Sequence, residues 1–357
     1  MRKTMIISGT LILLLAGYIL LFTGPYRPAE AVSPGITDMH CHVAGIGAGG
    51  SGCFVSAELR ENWRFGIYLK SFGVSEKELS EKGDMLLPDR VSEMAGKSRF
   101  VSKVVLLALD GVVGADGELD AARTKIYVPN EFAAAAAARH ANLLFGASVN
   151  PYRKDALKRL VWAKDHGAVL VKWIPSIMDI DPSDAKLVPF YKKLAALRLP
   201  LLTHAGQERA FPGSRDEFCD PAKLDLPLSL GVTVIAAHIG AKGRYGGERS
   251  SDRLARLMLK YPNLYSDISS LTQVNKFGYL KEALTRPEFS GRLVYGSDFP
   301  YLNTVLVSPW YYSLTLKPWR LLKAIRAENV WDKDVLLKQE LGTPPEIFKR
   351  SGEIIGR

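Results

Sequence analysis

The feature that most constrains the fold is a regular alternation of short apolar runs with longer helix-forming stretches. Eight runs follow one another beyond Gly35, at residues 36–43, 101–109, 143–149, 168–173, 200–204, 232–238, 263–268 and 292–295. Runs that are apolar on both faces are typical of the buried strands of a parallel sheet. Stretches with helical spacing separate the runs, such as residues 129–140 with their alanines and residues 155–166.

Eight strand–helix units in a chain of 357 residues predict an α/β fold of the (β/α)8 type, a TIM-like barrel. The alternative is an open doubly wound sheet, which normally carries a glycine-rich nucleotide-binding turn after its first strand. Glycines do follow the first run, but their spacing does not match that motif. We therefore predict one barrel domain over residues 36–350.

An apolar segment precedes the barrel. Arg2 and Lys3 are followed by a nearly uninterrupted apolar run over residues 5–22, close to the ~20 residues of a spanning helix. Residues 1–24 are therefore predicted to form a transmembrane helix or a signal helix, with a linker over residues 25–35. The basic flank predicts export of the barrel to the periplasmic or extracellular side. A membrane anchor is favoured, and secretion after signal cleavage is the alternative.

Composition excludes some function classes. The formal charge is +10, but lysine and arginine are scattered and no nucleic-acid-binding motif is present, so nucleic acid is not an expected partner. Three cysteines are too few for a disulfide scaffold, and buried free thiols are expected. Residues 310–331 are rich in aromatic and basic side chains, which is typical of helix packing or of a surface that meets a membrane or a partner.

Two histidines stand one residue apart in the first run, in the sequence ITDMHCHVAG. If this run is a regular strand, Asp38, His40 and His42 share one face and Met39 and Cys41 the other. Two imidazoles on one face near a strand end can form part of a metal site.

Other polar residues end later runs in the same way. His204 ends the fifth run, His238 ends the sixth, and Asp298 follows the eighth. In a barrel, the carboxyl ends of the strands converge on the face where active sites lie. These residues are therefore expected to meet His40 and His42 at one rim.

The motifs DMHCH, THAG, AHIG and YGSDFP, in this order along the chain, resemble those of the amidohydrolase superfamily and of its amidohydrolase-2 branch. The resemblance implies that His40, His42, His204 and Asp298 bind one divalent metal ion. Zinc is the favoured ion, with manganese or iron as alternatives. It further implies that His238 and Asp298 are catalytic.

Further residues are candidates for substrate contacts. Lys172 ends the fourth run and is interpreted as a positive group in the pocket, although a carboxylated lysine that bridges two metals is the alternative. Asp110, Arg64 and Tyr301 are predicted to contact the substrate. Asp267, near the end of the seventh run, is interpreted as a rim residue or a loop anchor.

The resemblance predicts a hydrolase that cleaves a C–O or C–N bond of a small carbonyl substrate by metal-activated water. The alternatives are nonoxidative decarboxylation of an aromatic or unsaturated acid at the same site, and a barrel that binds a metal or ligand without catalysis.

Overall fold

The computed structural model describes residues 9–17, 30–208, 211 and 213–356. Within them, eight strands form one parallel sheet in chain order, and each begins within two residues of a predicted run. They are β1 (Ile36–His42), β2 (Val101–Leu107), β3 (Leu143–Ala147), β4 (Ala168–Trp173), β5 (Leu201–Thr203), β6 (Val234–Ala236), β7 (Leu264–Asp267) and β8 (Leu293–Val294). The predicted strands of the α/β fold are confirmed.

Helices connect the strands and cover the sheet. They are α1 (Ala57–Arg60), α2 (Trp63–Ser71), α3 (Glu76–Lys82), α4 (Leu86–Gly96), α5 (Asn130–Arg139), α6 (Ala156–Asp165), α7 (Pro175–Met178), α8 (Val188–Ala196), α9 (Asp225–Ser229), α10 (Ser250–Lys260), α11 (Tyr279–Thr285), α12 (Pro318–Ile325), α13 (Val330–Glu340) and α14 (Pro345–Ile355). The last helix extends beyond the predicted end of the domain at residue 350.

The barrel closes at the carboxyl ends of its first and last strands. The backbone N–H of His42 donates to the carbonyl of Phe299 at 2.7 Å, and Cys41 forms a parallel bridge with Phe299. The backbone N–H of Asp298 donates to the carbonyl of His40 at 2.9 Å. The residues that close the barrel are therefore the neighbours of the predicted site.

Strand β1 is not regular, and one sequence-based expectation was wrong. The register with β2 shifts between Asp38 and Cys41, which marks a β-bulge, and a bulge breaks the alternation of side chains. Met39 packs inside the barrel, whereas Asp38 accepts a hydrogen bond from the indole of Trp331 on α13 at 2.8 Å. The bulge thus turns Asp38 away from the face of His40 and His42.

Aliphatic side chains fill the barrel beneath the site. Met39, Val105, Leu170, Ile235 and Val294 belong to one buried cluster. Ile354 of α14 joins the same cluster. The floor of the site is therefore lined by buried apolar side chains.

The predicted membrane or signal helix lies largely outside the described residues. Residues 9–17 are helical, and the side chains of Leu11, Ile12, Leu13, Leu14 and Leu15 are more than half exposed. In the part of the chain that the structure describes, no helix has the length and apolar character needed to cross a bilayer.

Candidate functional site

The two histidines of β1 face each other at the carboxyl end of the barrel. The Nε2 atoms of His40 and His42 lie 3.0 Å apart. On the other side of the His40 ring, Nδ1 lies 2.8 Å from Oδ2 of Asp267 at the end of β7. Because a carboxylate oxygen only accepts hydrogen bonds, Nδ1 of His40 carries the proton and Nε2 keeps its lone pair. A carboxylate in this position is the usual partner of a metal-binding histidine.

A carboxylate from the loop after β8 joins the two imidazoles. Oδ1 of Asp298 lies 3.6 Å from Nε2 of both His40 and His42, and its Oδ2 accepts a hydrogen bond from the Ser270 hydroxyl. One donor atom from each of His40, His42 and Asp298 lies within 4.8 Å of the other two. The structure therefore brings together three of the four residues predicted to bind a metal.

The fourth predicted ligand, His204, lies outside this group of donor atoms. It follows β5, and its ring centroid is 5.4 Å from that of His238. Nδ1 of His204 lies 3.6 Å from a carboxylate oxygen of Glu208, whereas its Nε2 is buried and has no hydrogen-bond partner among the described residues. A buried polar atom without a partner is rare and points to a missing ligand. His204 as a metal ligand stays a prediction, and the orphaned Nε2 fits it.

His238 presents a hydrogen-bond acceptor to the site. Its Nδ1 lies 3.0 Å from the carbonyl and 2.8 Å from the hydroxyl of Ser269. That hydroxyl donates to Asp267 at 2.5 Å, so it accepts from His238, and Nδ1 carries the proton. Nε2 of His238, which lies 3.9 Å from Oδ2 of Asp298, therefore keeps its lone pair.

The backbone is strained where these residues leave their strands. Asp298 has a φ of 61°, and His238 and Ile239 after β6 have φ of 58° and 52°. Side chains other than glycine rarely adopt this left-handed region, and β-branched ones hardly ever do. The His238 N–H is held by Oδ1 of Asp267 at 2.9 Å, which helps to keep the conformation. Strain retained around clustered polar side chains indicates a functional site.

Burial keeps the imidazoles neutral. Burial, and secondarily the positive charge of Lys172, lowers the pKa of His40 and His42 well below the usual value for histidine. Burial also lowers the pKa of His204 and His238. At neutral pH these rings are therefore in the form that binds a metal or accepts a proton.

Burial acts in the opposite direction on the carboxyl group. It raises the pKa of Asp298 to about 6, although the charges of Lys276 and Lys172 and the hydrogen bond from Ser270 act to lower it. A carboxyl group with a pKa close to neutrality can both accept and release a proton near pH 7.

Comparison with known families agrees with this geometry. The amidohydrolase-2 family model, described as amidohydrolase, matches residues 37–327. The chain belongs to this amidohydrolase family. The matched stretch contains every residue of the predicted metal site. No curated protein matches the sequence of this amidohydrolase.

Solved structures share the fold of the amidohydrolase at low sequence identity. An uncharacterised TIM-barrel protein from Bordetella bronchiseptica is 17% identical with a TM-score of 0.54, and the match covers 90% of this chain and 99% of that one. A protein named as a probable 2-pyrone-4,6-dicarboxylic acid hydrolase from Acinetobacter baumannii is also 17% identical with a TM-score of 0.50, over 90% and 99% of the two chains. These similarities establish the TIM-barrel fold alone.

Lys172, at the end of β4, lies inside the site of the amidohydrolase. Its Nζ is 2.8 Å from Nε2 of His40, and its side chain is fully buried. Burial lowers the pKa of Lys172 to about 8, against the opposing charges of Asp267 and Asp298. Lys172 is thus in the predicted pocket, in contact with an atom that is predicted to bind the metal.

Asp110, predicted to contact the substrate, is instead fully engaged with protein groups. Its two carboxylate oxygens accept hydrogen bonds from Arg153 at 2.8 and 2.5 Å, and from the backbone N–H groups of Asn150 and Gly111 at 2.8 Å. Both charged side chains are buried. This pairing gives Asp110 a structural role that braces the loops after β2 and β3, and its contact with the substrate stays a prediction.

Replacing Arg153 by methionine is expected to destabilise the fold by about 3–5 kcal/mol, because the carboxylate of Asp110 would stay buried without its partner. Urea denaturation followed by circular dichroism measures the change. The matched control is the double variant Arg153→Met with Asp110→Asn, which removes the unpaired charge and should recover part of the loss. If Arg153→Met lost no stability, the structural role of the pair would be wrong.

The remaining predicted substrate residues are Tyr301 and Arg64. The backbone N–H of Tyr301 donates to the carbonyl of Asp298 at 3.0 Å. Burial raises the pKa of the Tyr301 phenol, as do the charges of Glu208 and Asp298, while Arg64 acts to lower it. Arg64, in the first turn of α2, is exposed. Both residues therefore stay candidates for substrate recognition.

Lys276 also acts on the site, and no sequence motif pointed to it. It ends a 3-10 turn, Val274–Lys276, in the loop after β7. Among the residues that the structure describes, no carboxylate forms an ion pair with it, yet its charge acts on Asp298, His40 and His238. Its only sequence clue is its place in the loop that begins at Asp267.

Proposed function

We propose that this amidohydrolase is a metal-dependent hydrolase that cleaves a C–O or C–N bond of a small carbonyl substrate with water. The observation that carries the proposal is the convergence of the two Nε2 atoms of His40 and His42 with the carboxylate of Asp298 at the carboxyl ends of the strands. The donors come from β1 and from the loop after β8, which the barrel closure holds together.

The donor set fits one divalent ion. His40, His42 and Asp298 would hold it, and His204 would complete the set through its unpartnered Nε2. Three imidazoles and a carboxylate suit zinc, and manganese or iron accept the same donors. When bound, such an ion makes water a better nucleophile at neutral pH and polarises a carbonyl group.

Asp298 and His238 would carry out proton transfer and orient the water. Asp298, with a pKa of about 6, would accept a proton from the attacking water and pass it to the leaving group. His238 would orient that water through the lone pair on Nε2. Since Nδ1 of His238 holds the proton against Ser269, the neutral ring cannot donate from Nε2 to a substrate carbonyl. This tautomer favours a base or water-orienting role for His238.

Unpaired positive charge suggests the kind of substrate. Lys276 has no ion-pair partner among the described residues. Arg64 is exposed, and its charge acts on Tyr301. Lys172 adds a third positive group deeper in the site. A carbonyl compound that also bears an anionic group would be bound by these side chains. The same charges would bind the carboxylate of an aromatic or unsaturated acid, which keeps nonoxidative decarboxylation as the second candidate.

Isotope labelling separates the two reactions. Full-length protein loaded with zinc, manganese or iron would be incubated in ¹⁸O-water with lactones, esters, amides and aromatic acids. Hydrolysis predicts one ¹⁸O atom in the product carboxylate. Release of carbon dioxide without ¹⁸O in the other product would establish decarboxylation instead. If no metal-loaded sample turned over any compound, a barrel that binds without catalysis would be favoured.

Replacing Asp267 tests whether its carboxylate orients His40 for metal binding. Replacing it by asparagine is expected to weaken metal affinity about 10–100-fold, because His40 would lose the carboxylate that fixes its proton on Nδ1. Competition with a chromogenic chelator measures the affinity. Asp89→Asn is the matched control, since Asp89 contacts His140 at 2.6 Å on the surface of the barrel. Equal affinities in the two variants would contradict the orienting role.

We also propose that residues 1–24 anchor the barrel to a membrane on its exported side, on the basis of the apolar run over residues 5–22. Deleting residues 1–23 is expected to move the protein from the membrane fraction to the soluble fraction while its circular dichroism spectrum keeps the barrel signal. Native protein that is already soluble and begins near Val32 would support secretion after cleavage instead.

A further inference from the structure

The loops after β7 and β8 carry large apolar side chains that face solvent. They include six that are between 39% and 77% exposed, namely Phe277, Val305, Trp310, Leu314, Trp319 and Leu322. Single exposed apolar residues are ordinary, but a group of this size marks an interaction surface. We call these six residues the aromatic surface.

The residues beneath the aromatic surface are packed against one another. The Phe277 ring stacks on Tyr312 with centroids 5.1 Å apart, and the two loops are joined by a backbone hydrogen bond of 2.9 Å from Val274 to Leu306. Leu321 on the buried side of α12 packs with Leu337 of α13. The exposed side chains are therefore held outward by a folded layer.

The segment that carries most of the aromatic surface is basic, although Glu340 of α13 pairs with two of its cations, Arg320 and Lys323. Residues 301–327 contain four basic residues, Lys317, Arg320, Lys323 and Arg326, and no aspartate or glutamate. Tryptophan and tyrosine favour the interface between water and lipid. Basic residues nearby are attracted to anionic headgroups. The combination fits a phospholipid surface better than an apolar protein groove.

The linker that precedes the barrel contacts the barrel close to the aromatic surface. The side-chain amide of Gln339 on α13 donates to the carbonyl of Glu30 at 2.5 Å. The next residue, Glu340, binds Arg320 and Lys323 of α12, the helix that carries Trp319 and Leu322. The linker to the apolar segment at residues 5–22 therefore meets the barrel beside the aromatic surface.

We propose that the aromatic surface rests on an anionic phospholipid bilayer, with its side chains at the level of the headgroups. The side of the membrane on which the barrel lies depends on the anchor proposed above. The contact between the aromatic surface and the bilayer is inferred separately, from the exposed side chains and the basic residues. The same loops carry Lys276 and Tyr301, so the mouth of the site opens beside the headgroup layer.

Environment-sensitive labels on the full-length protein test the contact. A single cysteine is introduced at Leu314 in the aromatic surface, at Leu259 on α10 as a control that is 74% exposed, or at Leu13 in the apolar segment. The natural cysteines Cys41, Cys53 and Cys219 are buried and should not react with an NBD reagent under native conditions. Each labelled protein is placed in vesicles of phosphatidylcholine and phosphatidylglycerol.

A severalfold rise and a blue shift of NBD emission are expected for Leu314→Cys, and no change for Leu259→Cys. If the label at Leu314 stays in water while the label at Leu13 enters lipid, the surface contact is wrong and the anchor stands. If the label at Leu314 enters lipid while the label at Leu13 does not, the contact stands and the anchor fails. Equal shifts at Leu314 and Leu259 would also overturn the proposal, because the binding would not be specific to the aromatic surface.

Discussion

Replacing both His40 and His42 by alanine is expected to abolish metal binding and to lower turnover on the order of 10⁴-fold. The two residues contribute two of the donor atoms that lie within 4.8 Å of one another, and their removal leaves Asp298 without its neighbours in the site. A bound ion contributes several kcal/mol to transition-state stabilisation, and each 1.36 kcal/mol changes the rate tenfold.

Metal content and rate are measured on the same samples. Plasma mass spectrometry of the purified protein should give about one ion per chain for the parent and none for the variant. His166→Ala is the control, since His166 is exposed and stacks on Trp162 with centroids 3.9 Å apart. It precedes the start of β4, whereas the site lies at the carboxyl ends of the strands. A variant that kept its ion would show that the site is elsewhere. Two ions per chain, with a carbamate on Lys172 detected by mass, would replace the one-metal assignment by the bridged alternative.

The strands of the barrel were predictable because a strand buried on both faces appears in the sequence as an unbroken apolar run. The same logic brought His40, His42 and Asp298 to one rim, since each ends or follows such a run. Neither step needs any knowledge of which strands are neighbours across the barrel.

What the sequence could not predict depends on contacts between distant segments. The bulge in β1 turns Asp38 away from the face that carries His40 and His42, and no local sequence pattern predicts this bulge. The pairing of Asp110 with Arg153 and that of Asp267 with His40 join residues that only the closed barrel brings together. Asp110 and Asp267 both lie at the ends of predicted strands, yet Asp110 pairs with Arg153 and braces loops, whereas Asp267 contacts Nδ1 of His40.

Replacing Asp298 by asparagine is expected to lower turnover about 10²–10⁴-fold, the range of general acid–base catalysis. The amide keeps the size of the side chain and can still bond to Ser270, so the fold should be retained, but it cannot accept the proton of the attacking water. Steady-state kinetics and circular dichroism measure the two effects. A variant with parental turnover would exclude Asp298 as the proton acceptor.

The pH dependence of metal affinity is a second test of the role of Asp298. Below a pKa of about 6 the Asp298 carboxyl is protonated, and a proton there competes with the metal, so affinity should fall about tenfold per pH unit. Protons compete less with the metal at His40 and His42, because burial lowers their pKa well below the usual value for histidine. Burial also lowers the pKa of His204. Chelator competition between pH 5 and pH 7 should therefore show proton release that rises from close to zero at pH 7 towards one per ion bound at pH 5 in the parent, and a flatter profile in Asp298→Asn. An equal slope in both proteins would assign the proton to another group and remove the basis for Asp298 as the titrating ligand.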